Sequence, residues 1–161
     1  ILELKDIFKV LQRIDPPKDL EEKSVMLSGK LFELSGKVKK GKGIQFAQKI
    51  LDSGKAYKQF KKIINAQEGN IRDLLKPRYN HVTKTKRKIK IKHIDNKLVN
   101  NLARHAGCPE DKAAGIYLHK KKGEVVEKGD PIMTLYSLSK EKLDYAKKFY
   151  NKNKKKIIEY N

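Results

Sequence analysis

Residues 83–94 read Thr-Lys-Thr-Lys-Arg-Lys-Ile-Lys-Ile-Lys-His-Ile. Around Ile89 and Ile91 the apolar and charged side chains alternate with a period of two, which is the pattern of a half-buried strand with lysines on its wet face. The rest of the chain can be placed relative to this stretch. On its N-terminal side, before Pro77, the apolar spacing is helical. Leu4, Ile7, Phe8 and Leu11 form one stripe, and Pro16-Pro17 ends it, because a residue preceding proline is pushed out of the helical region. Asp19 is then the expected N-cap, with Glu22 as its reciprocal partner three residues on. Leu20, Leu27, Leu31 and Leu34 make the next stripe, and Gly36 is placed to end it. Helices over 44–52 and about 55–67, stopped by Gly54 and Gly69, complete a set of helical hairpins.

On the C-terminal side the pattern shortens. Asp95 or Asn96 caps a helix through Leu98, Val99, Leu102 and Ala103. Gly115–His119, Val125-Val126 and Ile132–Tyr136 follow as short strands between glycine turns. Ser139 caps a last amphipathic helix carrying Leu143, Ala146 and Phe149, and the lysine-rich tail from Asn151 to Asn161 is expected to fray. The fold class is α+β. Residues 1–77 are helical and residues 78–161 form a small mixed domain.

Composition narrows the function. Basic residues outnumber acidic ones 39 to 19, a formal charge of +20, and 34 of the 39 are lysine. Mean hydropathy is −0.74 and no apolar run approaches the roughly 20 residues of a membrane span. One cysteine, Cys108, excludes an internal disulfide and fits a reducing, cytoplasmic setting. The charge suggests a polyanionic partner, but only five arginines are present, and arginine is the usual reader of bases and phosphates. Surface lysine, from coding bias or a heat-adapted surface, is the better explanation of the balance, and a nucleic-acid partner is not expected.

Each candidate motif has an ordinary reading beside it. Gly36-Lys-Val-Lys-Lys-Gly41-Lys42 matches seven positions of a phosphate-binding loop, but the magnesium-holding hydroxyl is replaced by Gly43 and no strand precedes it. A basic inter-helix loop is the better reading. Asp111-Lys112-Ala113 resembles the lysine turn of lipoyl carriers, yet it follows a helix where a carrier needs a hairpin. His81, His93, His105 and His119 have no metal-ligand spacing, and His105 and Cys108 are separated from a shared helix by Gly107 and Pro109. The basic stretch 84–92 could track a phosphate backbone, but no aromatic is interleaved for stacking, and an edge strand guarded by lysines reads as well. No catalytic or cofactor-binding constellation emerges.

Several blocks taken in order do resemble a known family. They are Leu2-Glu3-Leu4-Lys5-Asp6, Asp19-Leu20-Glu21-Glu22-Lys23, Leu31-Phe32-Glu33-Leu34 with Gly41, Ser53-Gly54-Lys55-Ala56 and Phe60–Gln67. The second half adds Ile94-Asp95-Asn96, Ala103–Gly107, Asp111–Ile116, Lys122–Val126 and Lys128–Pro131. The set resembles the C-terminal third of the thymidine/pyrimidine-nucleoside phosphorylases, and most closely the archaeal AMP phosphorylases. The resemblance implies that 1–77 are helices of a larger α/β domain and that 78–161 form a hammerhead-like C-terminal domain with barrel-sandwich strands. It implies a parent enzyme, a pentosyltransferase converting AMP and phosphate to adenine and ribose 1,5-bisphosphate, whose catalytic groups lie upstream. It also implies nucleotide or nucleoside and phosphate as substrates, a homo-oligomer (a dimer or larger), no cofactor, and no membrane. Glu3 matches a family glutamate near a bound cation, and reads equally well as a first-turn carboxylate favoured by the helix dipole. The family's Ala-Gln-Gly-Gly is Ala66-Gln67-Glu68-Gly69 here, and its Lys-Gly-Ala-Gly is Lys112-Ala113-Ala114-Gly115. An opening Ile-Leu-Glu-Leu without Met suggests a cut through a longer protein, structural and inactive alone. The alternative is a basic RNA- or DNA-binding module.

Overall fold

The structure, a computed structural model, describes residues 2–70 and 75–161. The chain is α+β, with six helices and two antiparallel three-stranded sheets among the described residues. It divides into two compact units, Glu3–Leu74 and, for the most part, Leu75–Asn161.

The first unit holds α1 (Leu2–Gln12), α2 (Lys18–Leu34), α3 (Gly43–Asp52) and α4 (Lys55–Ala66). Its core is Val10, Val25, Ala47 and Leu51, with Leu11, Phe32 and Ala56 packed against them. Of the two leucine-rich stripes read from the sequence only Leu11 joins that cluster, and the α2 leucines Leu27, Leu31 and Leu34 stay exposed. Phe8 meets Tyr57 and Phe60 edge-on, with ring centroids 6.4 and 5.9 Å apart. The α2 start differs from expectation. Pro17, not Asp19, is the N-cap, and Asp19 lies inside the first helical turn. Proline has φ fixed near the helical value and no N–H to leave unsatisfied, so the helix begins directly after it. At the other end of α2 the expected glycine stop is present. Gly36 takes φ +70°, its N–H donates to Glu33 O at 3.1 Å, and Lys37 N–H donates to Phe32 O at 3.0 Å. Those are the two bonds of a Schellman cap.

The stop of α4 sits one residue earlier than the glycine suggests. Glu68 takes the left-handed position at φ +55°, with Glu68 N–H donating to Asn65 O and Gly69 N–H to Ile64 O. Glu68 is one of the positions where the sequence departs from the family pattern. A side chain there pays the steric cost that glycine avoids.

The second unit holds β1 (Tyr79–Lys84), β2 (Ile89–Ile94), α5 (Asn96–Ala106), β3 (Gly115–Leu118), β4 (Val125–Val126), β5 (Pro131–Ser137), α6 (Lys140–Ile157) and β6 (Ile158–Tyr160). One sheet has the order β1-β5-β3 and the other β4-β2-β6. Asp95 caps α5, its carboxylate accepting from Leu98 N–H at 2.9 Å, and Ser139 caps α6 by accepting from Lys142 N–H at 3.3 Å. Ile91, Leu102, Val126, Met133, Leu135 and Ile157 form the centre of the core. Ser137 is fully buried there and donates its hydroxyl to Ala106 O at 2.7 Å.

Two expectations fail in this unit. The stretch 83–94 is not one strand, because the alternation runs across a break. Thr85 N–H donates to Asp130 O and Thr85 O accepts from Gly129 N–H at 2.9 Å. The Thr85 hydroxyl donates to Arg87 O at 2.6 Å, turning the chain at Lys86. Residues before the turn join the β5 sheet and residues after it the β4–β6 sheet. The tail does not fray either. It continues α6 to Ile157 and then adds β6 to β2, Ile94 opposite Ile158 and Ile91 opposite Tyr160. Two buried isoleucines decide it, Ile157 at 0% exposure and Ile158 at 2%.

Candidate functional site

In the glycine-rich loop 36–43 the backbone amides already have a partner within the chain. Glu33, on the last turn of α2, accepts from Gly41 N–H and Gly43 N–H through one oxygen, both at 2.9 Å. The amides that a phosphate-binding loop would turn toward its ligand are satisfied by a carboxylate of the same chain. Lys30 lies 3.5 Å from the other Glu33 oxygen. The Gly43 N–H, with Lys30 and the Gly41 N–H, holds the Glu33 carboxyl below the usual carboxylate range. This role was not apparent from the sequence, where Glu33 reads as a polar residue beside a leucine stripe. A group whose folded pKa is lowered contributes stability above its unfolded pKa, about 4.3 for glutamate, and that contribution is lost as pH falls through the folded value. We therefore expect Glu33→Gln to lower the midpoint of thermal unfolding at pH 7. The gap to the parent chain should close as the pH is taken down through the acid range, which a melting series against pH reads directly.

The other candidates are apart or engaged elsewhere. The Cys108 thiol donates to Ala114 O at 3.1 Å. His105 has Nδ1 2.8 Å from Asn101 O and stacks on Phe149 with ring centroids 4.4 Å apart. His119 Nε2 lies 2.7 Å from Thr134 Oγ1. Lys112 stands in the turn between α5 and β3, not at the tip of a hairpin. Glu3 is an exposed first-turn residue of α1. Among the described residues no group of three or more His, Cys, Asp or Glu side chains could hold a metal ion.

Two surfaces stand out. The first is a largely apolar cleft of about 290 Å³ in the helical unit, lined among others by Ile7, Leu11, Leu20, Val25, Phe32 and Ile50. On the same unit α2 leaves Leu27, Leu31 and Leu34 more than half exposed. Leucines at helical spacing that stay in water mark a face shaped for packing.

The second is the basic stretch. β2 is the central strand of its sheet, so its lysines do not guard an edge. The pairing of β2 with β6 also brings Tyr160, 38% exposed, to this stretch from the far end of the chain. The Arg87 guanidinium lies 5.7 Å from the Tyr160 ring centroid. Arg87, Lys155, Ile158, Glu159 and Tyr160 line a shallow groove of about 310 Å³. Tyr160 stands directly opposite the buried Ile91, so its ring shares the face of Ile91 and Ile158 and not that of Lys90 and Lys92.

No arrangement of acid, base and nucleophile is formed among the described residues, so comparison with known proteins carries the family assignment. The family model described as "Pyrimidine nucleoside phosphorylase C-terminal domain" matches residues 90–156, from β2 through nearly all of α6. A "Putative thymidine phosphorylase" of Legionella pneumophila (strain Corby) is 43% identical over 90% of this chain and 28% of its own length. An "AMP phosphorylase" of Methanosarcina mazei is 42% identical over 90% of this chain and 29% of its own. That of Methanococcoides burtonii is 38% identical over 98% of this chain and 32% of its own. The chain therefore spans about three-tenths of the length of the curated relatives it matches. Those matches run through both units, while the family model covers the strands and helices built around Ile91, Leu102 and Leu135. Together the family model and these relatives cover most of this chain, which is similar to the C-terminal part of the thymidine and AMP phosphorylases.

Proposed function

We propose that this chain is the C-terminal part of a nucleotide or nucleoside phosphorylase, structural in role and inactive alone. The observation that carries the reading is the pairing of high coverage of this chain with low coverage of the relatives, 90% against 28% for the first of them. In this reading residues 1–77 supply helices of the larger α/β domain and residues 78–161 are the C-terminal domain. The leucine face of α2 then packs on the remainder of that α/β domain.

The parent reaction in this reading is AMP and phosphate to adenine and ribose 1,5-bisphosphate. A phosphate oxygen bonds to the anomeric carbon as the carbon–nitrogen bond breaks, and the base departs with the bonding pair. Such a displacement needs donors and cations around the phosphate and a proton donor at the leaving base. Glu33 already occupies the phosphate-loop-like amides of Gly41 and Gly43, which supports placing those groups in the rest of the enzyme. Glu3 offers a single exposed carboxylate to a cation, and no cluster among the described residues completes a coordination shell around it. A homo-oligomer in the cytoplasm is part of the same reading; no helix among the described residues is long and apolar enough to cross a membrane.

The test is a phosphorolysis assay of the 161-residue chain with AMP, CMP, UMP and thymidine, following base release in the presence and absence of phosphate. No phosphate-dependent release is expected with any of the four. Turnover by this chain alone would overturn the reading.

A further inference from the structure

We propose that Arg13 is an ionic clasp, held in a strained backbone, that sets how α1, α2 and α3 lie around the apolar cleft of the helical unit. α1 ends in a Schellman cap, with Arg13 N–H donating to Val10 O at 3.3 Å and Ile14 N–H to Lys9 O at 3.0 Å. The left-handed position of such a cap is normally glycine, as it is at Gly36 after α2. Here it is Arg13, at φ +61°, and Asp15 follows at φ +45°. Two of the three residues between Gln12 and Pro16 therefore hold a backbone that side chains resist.

Such a backbone persists where its surroundings impose it, and the Arg13 side chain shows how. Its guanidinium pairs with Glu21 in the first turn of α2 and, from Nε at 3.1 Å, with Asp52 at the end of α3. The Glu21 side chain is 15% exposed, so a charge largely out of water depends on this partner. Asp52 stands at a helix C-terminus, where the dipole opposes a carboxylate, and the guanidinium offsets that repulsion. A planar fork with several N–H groups can serve both carboxylates at once.

The clasp lies where the walls of the cleft converge. Leu11, Leu20 and Leu51 line the cleft from α1, α2 and α3, and each is within two residues of a member of the triad. Apolar contacts among them are non-directional and would let the helices slide. The close approach of Gly29 and Gly43 fixes one end of the α2–α3 pair, and Arg13 fixes the other. The clasp is a property of the helical unit and does not depend on the phosphorylase reading.

The competing reading is that Arg13 only ends α1, and the two differ in sign. Glycine relieves the left-handed strain, so a plain cap predicts hydrogen exchange about fivefold slower in Arg13→Gly. The clasp predicts exchange about tenfold faster in the first two turns of α2 and the last two turns of α3, because Glu21 loses its cation. Amides of α5 and α6, in the second unit, should not change. Exchange of the full 161-residue chain and its variants, read by mass spectrometry at neutral pH, measures this directly. In the Arg13→Gly chain, Glu21→Gln should speed exchange no further, because the pair is already gone. Should Arg13→Gly not fold, Asp52→Asn decides. Neutralising Asp52 removes an unfavourable charge at the end of α3, so the dipole alone predicts slower exchange there. Loss of the clasp predicts exchange about threefold faster. Unchanged or slower exchange in Arg13→Gly, or in Asp52→Asn, overturns the proposal. So does an equal acceleration in α5 and α6, or a further acceleration when Glu21→Gln is added to Arg13→Gly.

Discussion

Replacing Gly43 by alanine should destabilise the helical unit by about 3 kcal/mol, the upper end of what overpacking usually costs. A Cβ built on Gly43 would lie 2.0 Å from the carbonyl oxygen of Gly29, and one on Gly29 would lie 2.6 Å from the amide nitrogen of Ile44. Both obstacles are backbone, so no side-chain rotation relieves them. Glycine within a helix is normally unfavourable by up to about 1 kcal/mol against alanine, because it leaves the unfolded chain more freedom. At Gly29 the absence of a side chain lets the start of α3 lie directly on α2, and the close approach places the Gly43 amide within reach of Glu33. Gly36→Ala is the control: its added methyl meets nothing within 4 Å, and only the cost of a left-handed backbone at φ +70° remains, about 1 kcal/mol. Urea or thermal unfolding followed by helical circular dichroism separates the two. For a unit of this size, 3 kcal/mol corresponds to a fall of more than about 10 °C in midpoint. A Gly43→Ala chain that melts with the parent would mean that α2 and α3 do not cross at these glycines.

Ile157→Ala should cost about 3 kcal/mol in the second unit, within the range for truncating a fully buried large aliphatic side chain. Ile157 is 0% exposed and sits at the junction of α6 and β6, in the cluster that contains Ile91, Leu102 and Leu135. Asp95 N–H donates to Ile157 O at 3.0 Å, so the same residue ties the end of α6 to the start of α5. A fraying tail would tolerate the change within about 0.5 kcal/mol, as exposed positions do. Equilibrium urea unfolding of the two chains distinguishes these outcomes, provided the slope with denaturant is unchanged.

These two positions also show where sequence reasoning reaches and where it stops. The helices of the first unit are legible because Ile7, Phe8 and Leu11 and the leucines of α2 repeat at helical spacing, and because Gly36 and Gly54 mark left-handed stops. The caps Asp95 and Ser139 are legible because their side chains act within three residues of themselves. What is hidden depends on contacts made far along the chain. The tail reads as lysine with Ile157 and Ile158 interrupting it, and only its pairing with β2 shows that those two complete a core. Residues 83–94 keep their alternation through Thr85, so the break is invisible until the turn around Gly129 and Asp130 is seen to hold that threonine. Glu68 shows a local limit as well. Its left-handed backbone is expected of a glycine, and the neighbouring Gly69 drew the stop one residue too far. For the site, the sequence could suggest a phosphate loop but could not show that Glu33 fills it. It could show a basic strand but not that Tyr160 lies beside it. The family resemblance was legible in the ordered blocks, and it bears on activity where the local chemistry of this chain is silent.

The central proposal is that this segment belongs to a phosphorylase whose chemistry is carried elsewhere in the enzyme. The most direct measurement is product analysis by phosphorus NMR of the protein that carries this segment together with its upstream coding sequence, incubated with AMP and inorganic phosphate. Free adenine and ribose 1,5-bisphosphate should appear in equal amounts, at a rate that falls to nothing when phosphate is omitted. Failure to form any sugar 1-phosphate from AMP, from the other nucleoside monophosphates or from free nucleosides would contradict the account.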